Sequence, residues 1–117
     1  MSKETYTVYH NNRCSKSRNA LAYLDEKNAT YSVVEYLKEP LDATQLSEIV
    51  SQLGIPAKDL IRKGEADFKE NFKGKELSEK EWIDAMVKYP KLIERPIIVK
   101  NGKAVIGRPA ERIDELD

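Results

Sequence analysis

The chain has 117 residues, a length suited to one domain with a modest core and no need of covalent staples. Its 20 acidic and 20 basic side chains cancel, so no bulk field draws it to nucleic acid or to an anionic membrane surface. One cysteine and one histidine exclude an internal disulfide and a closed structural zinc site, and no apolar run approaches the roughly 20 residues that span a bilayer.

In chain order, Met1 to Glu4 is polar and lacks the apolar core of a signal peptide, so a cytoplasmic location is expected. Thr5–Tyr9 alternates and carries β-branched and aromatic residues, the pattern of a strand. From Ser15 to about Lys27 the spacing predicts a helix with Leu21 and Leu24 on one face and Ala20 beside them. Tyr31–Tyr36 reads as a second strand. A strand, a helix of about a dozen residues and a strand imply a right-handed crossover and a parallel pair.

The middle of the chain is helical in character. Asp42 with Gln45 forms a capping-box pattern ahead of Leu46, Ile49, Val50 and Leu53 at helical spacing. Gly54 stands at the expected C-cap, with Pro56 beyond it. A short helical turn over Ala57–Ile61 leads into a charged run from Lys63 to Glu81, expected to be a solvated face. Ser78 with Glu81 marks another helix start, with Trp82 and Met86 on its core side, and Tyr89-Pro90 ends it. Residues 42–89 are therefore expected to form a helical insertion within a single domain, 1–117.

The last third returns to strands. Pro96–Lys100 and Lys103–Gly107 flank Asn101-Gly102, a strong hairpin signal. Pro109 to Leu116 reads as a closing helix with the proline near its first turn. The order βαβ, helical insertion, ββα specifies a mixed-sheet α/β domain.

Chemistry centres on Cys14, in the stretch from Tyr9 to Arg18 (YHNNRCSKSR). A thiol at a strand-to-helix turn meets the positive end of the helix and its unpaired amides, which favour thiolate. Arg13, Lys16 and Arg18 add positive charge. A free cysteine is often only a small buried hydrophobe, but these neighbours are polar. His10 either assists proton movement or only shapes the strand-to-loop transition. Arg62, Arg95 and Arg108 are candidates for binding an oxyanion, because guanidinium groups hold tetrahedral oxyanions bidentately and stay charged. Both Arg95 and Arg108 precede a proline at a strand end.

Spacing excludes several alternatives. Ala20 stands six residues after Cys14, so there is no Cys-x5-Arg phosphatase loop. Ser17 occupies the position of a second thiol in Cys-x-x-Cys, so any Cys14 adduct must be released by an external thiol. No Walker loop or GxGxxG motif is present.

Taken together, the Tyr9–Arg18 stretch, Glu94–Val99 (ERPIIV), Ile106–Pro109 (IGRP) and Leu60–Lys63 (LIRK) resemble the glutaredoxin-dependent arsenate reductase family over nearly the whole chain. The resemblance implies a thioredoxin-like mixed four-stranded sheet with a helical insertion between the second and third strands. It implies Cys14 as nucleophile and His10 as the residue that poises it. Arg62, Arg95 and Arg108, with Ser15 and Ser17 after the thiol, would bind arsenate or a related small oxyanion. It also implies a cis bond at Arg95-Pro96, no bound cofactor, and glutathione and glutaredoxin as external reductants. Asn12 and Ala110 depart from the family pattern, each standing where many members have Pro. A monomer is expected. Two other readings share this fold: a non-enzymatic regulator binding a protein partner such as RNA polymerase, and a monothiol reductase of glutathione mixed disulfides. Ser17 weighs against the dithiol form of the first.

Overall fold

The computed structural model describes residues 5–11 and 14–116; Met1 to Glu4, Asn12 and Arg13, which bear on the expectations above, lie outside them. The chain divides into two compact units, one made of the residues up to Glu39 together with those from Arg95 onward, the other of Pro40–Glu94.

The first unit holds β1 (Tyr6–His10), α1 (Ser15–Glu26), β2 (Tyr31–Glu35), β3 (Ile97–Lys100), β4 (Lys103–Ile106) and a closing helix, Ala110–Leu116. The strands form one mixed sheet in the order β2-β1-β3-β4, with β1 parallel to β2 and the other pairs antiparallel. This is the expected thioredoxin-like α/β arrangement. Along β1, Tyr6, Val8 and His10 are buried and alternate with half-buried Thr7 and Tyr9. Tyr6 and Val8 join Ala20 and Leu24 of α1, Ile98 and Val105 of the hairpin, and Ile113 and Leu116 in one core. Fully burying a side chain such as Leu24 contributes about 1.5–3 kcal/mol. The hairpin turns as its sequence requires, with Asn101 (φ 53°) and Gly102 (φ 76°) both left-handed, the backbone of a type I′ turn. The closing segment is a 3₁₀ helix rather than an α-helix and begins one residue after Pro109.

Register decides what meets at one end of this sheet. Tyr9 pairs with Ile97 and Ile97 with Ile106. The C-terminal end of β1, the residues entering β3 and those leaving β4 therefore share an edge.

The second unit contains α2 (Ala43–Leu53), a 3₁₀ turn (Ala57–Leu60), α3 (Ala66–Asn71), α4 (Glu79–Lys88) and a second 3₁₀ turn (Pro90–Leu92). Both capping boxes form. The Asp42 carboxylate accepts from the Gln45 amide at 2.8 Å while Gln45 Oε1 accepts from the Asp42 amide at 2.9 Å. Ser78 and Glu81 repeat the exchange at 3.2 and 2.9 Å. Gly54 ends α2 in the left-handed conformation, at φ 69°. Leu46, Ile49, Trp82 and Met86 are buried as their spacing requires, whereas Leu53 is half-buried.

The run from Lys63 to Glu81 is not wholly a solvated face. Its charges are mostly exposed, but it contains α3, and Phe68 and Phe72, four residues apart, both pack on Trp82. Among the described residues no helix is long and apolar enough to cross a membrane.

Candidate functional site around Cys14

Cys14 is the N-cap of α1, with extended backbone (φ −97°, ψ 122°). Its own amide donates to the Asn11 carbonyl at 3.0 Å, and its carbonyl accepts from the Arg18 amide at 3.1 Å. The sulfur thus stands before the first turn, where helix amides lack intrahelical acceptors.

Partial burial pushes the Cys14 thiol up, but the nearby backbone N–H groups of Ser17 and then Lys16, followed by the Arg95 guanidinium, outweigh it. They do so without a formed side-chain cap hydrogen bond at the start of α1. The net effect holds the thiol below its ordinary value. Helix amides and a guanidinium stabilise the anion more than desolvation disfavours it. Lys16 therefore acts on the sulfur through its backbone, and the neighbouring side-chain charge comes from the strand entering the sheet next to β1. Of the cations that sequence proximity points to, Lys16 and Arg18 have exposed side chains, and Arg13 lies outside the described residues.

Arg95 itself is half-buried. Its Nε and Nη1 are buried and meet no hydrogen-bond acceptor among the described residues. Unmatched buried donors on a cation are costly, and guanidinium N–H groups are suited to an oxyanion.

Arg108 follows Gly107 off the end of β4. The Gly107 amide donates to the Pro96 carbonyl at 2.9 Å and the Arg108 amide to the Ile106 carbonyl at 2.9 Å, which ties this segment to the one carrying Arg95. Gly107 has no room for a side chain: a Cβ there would lie 2.5 Å from Ile98 Cδ1 and 3.3 Å from Pro96 Cγ. The Arg95-Pro96 peptide is cis, as the resemblance implies, and so is Arg108-Pro109.

The remaining candidates fall as follows. His10 is buried at the C-terminal end of β1, opposite Glu35 of β2. Ser15 is exposed. Ser17 is fully buried, and its hydroxyl accepts from the Asn11 amide at 3.3 Å; what it presents to the sulfur is its amide. Arg62 belongs to the Pro40–Glu94 unit. There its Nη1 bonds Glu65 Oε2 at 2.9 Å and its Nε lies 3.5 Å from Glu94 Oε1. The Glu65 pairing has an i, i+3 signal in the sequence; the Glu94 pairing has none, because it depends on the Ile61–Ile93 bridge. Sequence reasoning also misses Gly107, whose requirement comes from packing rather than from a turn.

Comparison with known proteins gives a consistent picture. The family model described as ArsC family matches residues 9–116. The chain is 49% identical over 111 residues to an uncharacterized protein, YfgD, of Escherichia coli, covering 93% of both chains. It is 39% identical over 111 residues to an arsenate reductase of Neisseria meningitidis serogroup A, covering 93% of this chain and 95% of the relative. Among solved structures, an arsenate reductase from Vibrio cholerae superposes with a TM-score of 0.94 at 37% identity, covering 99% of this chain and all of the other. A match that runs through Cys14, Arg95 and Arg108 and across both units places this chain in the ArsC family.

Proposed function

We propose that the protein reduces arsenate to arsenite, with Cys14 as the nucleophile. The observation that supports this reading best is the pairing of a sulfur held toward thiolate with a guanidinium whose buried Nε and Nη1 meet no acceptor among the described residues. A nucleophile beside an unsatisfied planar donor fits attack on the central atom of a bound oxyanion.

In this reading arsenate docks on Arg95 and Arg108, with the amides of Lys16 and Ser17 nearby. The thiolate attacks arsenic, an S–As bond forms, and an oxygen leaves as water after protonation. Cys14 is the single cysteine of the chain, so the second sulfur comes from outside. A glutathione thiolate forms an S–S bond with Cys14, the electron pair of the S–As bond returns to arsenic, and arsenite departs. Glutaredoxin then takes the glutathionyl group and frees Cys14. Arsenic gains two electrons and two thiols become one disulfide.

The test is arsenate-dependent NADPH oxidation coupled through glutathione reductase, glutathione and glutaredoxin. Cys14→Ser is expected to abolish the rate. Arg95→Ala is expected to lower kcat/KM by roughly tenfold to a hundredfold, the scale of a lost charge-assisted hydrogen bond. Absence of any arsenate dependence in a protein whose thiol still alkylates readily would overturn the reading.

A further inference from the structure

The Pro40–Glu94 unit carries a second candidate site, built from residues that the thiol chemistry does not use. A cavity of about 490 Å³ opens there, within the size range of small-molecule sites. Its apolar wall is aromatic. Phe68 of α3 stacks on Trp82 of α4 with ring centroids 6.3 Å apart and planes 20° from parallel, and Leu77 extends that surface. Phe72 packs on Trp82 from a tilted position at 6.0 Å, so the indole is supported by two rings.

The rim is cationic. Lys58 comes from the first 3₁₀ turn, Lys63 from the loop after it and Lys75 from the loop after α3, against one carboxylate, Glu76. All three lysines are exposed, and among the described residues none of them is held in an ion pair. In a chain whose charges cancel overall, three cations to one anion around one cavity make a local positive field. Ammonium groups on flexible stems suit a compact anionic group, and stacked rings suit another flat ring.

We propose that this cavity binds a small aromatic anion: a flat ring bearing one carboxylate, sulfonate or phosphate group. The ring lies against Phe68 and Trp82, and the anionic group meets Lys58, Lys63 and Lys75. The cations alone would hold any anion weakly through solvent; the aromatic wall supplies the selection for a ring. Neither feature needs Cys14.

Trp82 is the only tryptophan, so its indole N–H gives one isolated signal in a ¹H–¹⁵N spectrum. The probe is 1-naphthalenesulfonate titrated into the full chain, with inorganic sulfate and uncharged 1-naphthalenemethanol in parallel. The sulfonate is expected to shift the Trp82 signal saturably, with both controls at least roughly tenfold weaker. The double variant Lys63→Gln, Lys75→Gln is expected to weaken sulfonate binding at least roughly tenfold while leaving 1-naphthalenemethanol unchanged. The proposal fails if the Trp82 signal does not move, if the neutral alcohol binds as tightly as the sulfonate, or if the lysine variant binds the sulfonate as the native chain does. The comparison of charged and neutral rings on the native chain decides the matter even where a variant is unstable.

Discussion

Arg95 acts on the sulfur of Cys14 from the segment entering β3, so among the described residues the cation that acts on the thiol is far from it in sequence. Arg95→Ala should move the Cys14 titration upward, toward an ordinary thiol, while leaving the Ser17 and Lys16 amides in place. Arg95→Lys should retain part of the Coulombic contribution and lose the planar fork. The pH profile of iodoacetamide alkylation measures this directly. An unchanged midpoint in Arg95→Ala would assign the depressed value to the helix amides alone.

That depressed ionisation also links folding to pH. Between the folded value and the unfolded value, the unfolded chain binds more protons at Cys14, so stability from this group rises with pH through that window. It is complete above the unfolded thiol value of roughly 8.5 and is lost as pH falls through the folded value. Urea unfolding of the native chain and Cys14→Ser at about pH 5 and about pH 9 should give a stability difference that favours the native chain more at the higher pH. A difference that ignores pH would contradict the linkage.

Close packing at Gly107 makes a sharper prediction. Gly107→Ala places a methyl group 2.5 Å from Ile98 Cδ1, and Ile98 is fully buried, so the isoleucine cannot swing away into solvent. The cost should be about 1–3 kcal/mol. Ile98→Val removes the clashing carbon at a cost of about 0.5–1.5 kcal/mol, so the double variant should be more stable than the two single costs added together predict. Chemical denaturation of all four proteins closes the cycle; simple additivity would show that the strain is relieved elsewhere.

In the second unit, the reciprocal bonds of Asp42 and Gln45 satisfy two amides at the start of α2. Asp42→Ala should destabilise the protein by about 0.5–2 kcal/mol, and Asp42→Ser should recover most of it. Thermal unfolding followed by circular dichroism reads both.

Features made between near neighbours are legible in the sequence. Asp42 with Gln45, Ser78 with Glu81, Gly54 and Asn101-Gly102 each state their geometry within a few residues, and the structure has all of them. The N-cap position of Cys14 is legible for the same reason. What is hidden depends on partners distant along the chain. Arg13, Lys16 and Arg18 are the evident cations near Cys14, yet among the described residues the charge that acts on it belongs to Arg95, through the pairing of β1 with β3. In and just after α3, Phe68 and Phe72 are masked by the charges around them, because their inward turn is set by Trp82. The 3₁₀ form of Ala110–Leu116 is likewise not written in its hydrophobic spacing, since Ile113 and Leu116, three residues apart, suit either helix.

The hairpin turn at Asn101-Gly102 carries a responsibility that its distance from Cys14 conceals. Four-residue strands place it about 13 Å along the sheet from the thiol end, yet it sets the pairing of Ile97 with Ile106. Slipping β4 by one residue would turn its side chains to the opposite face and carry Arg108 out of step with Arg95. The turn works as a remote index mark for the arginine pair. Turn variants that keep the pairing of Ile97 with Ile106 should leave the two arginines in step, and variants that shift it by one residue should not, giving a handle on the chemical end of the sheet that touches none of its reactive groups.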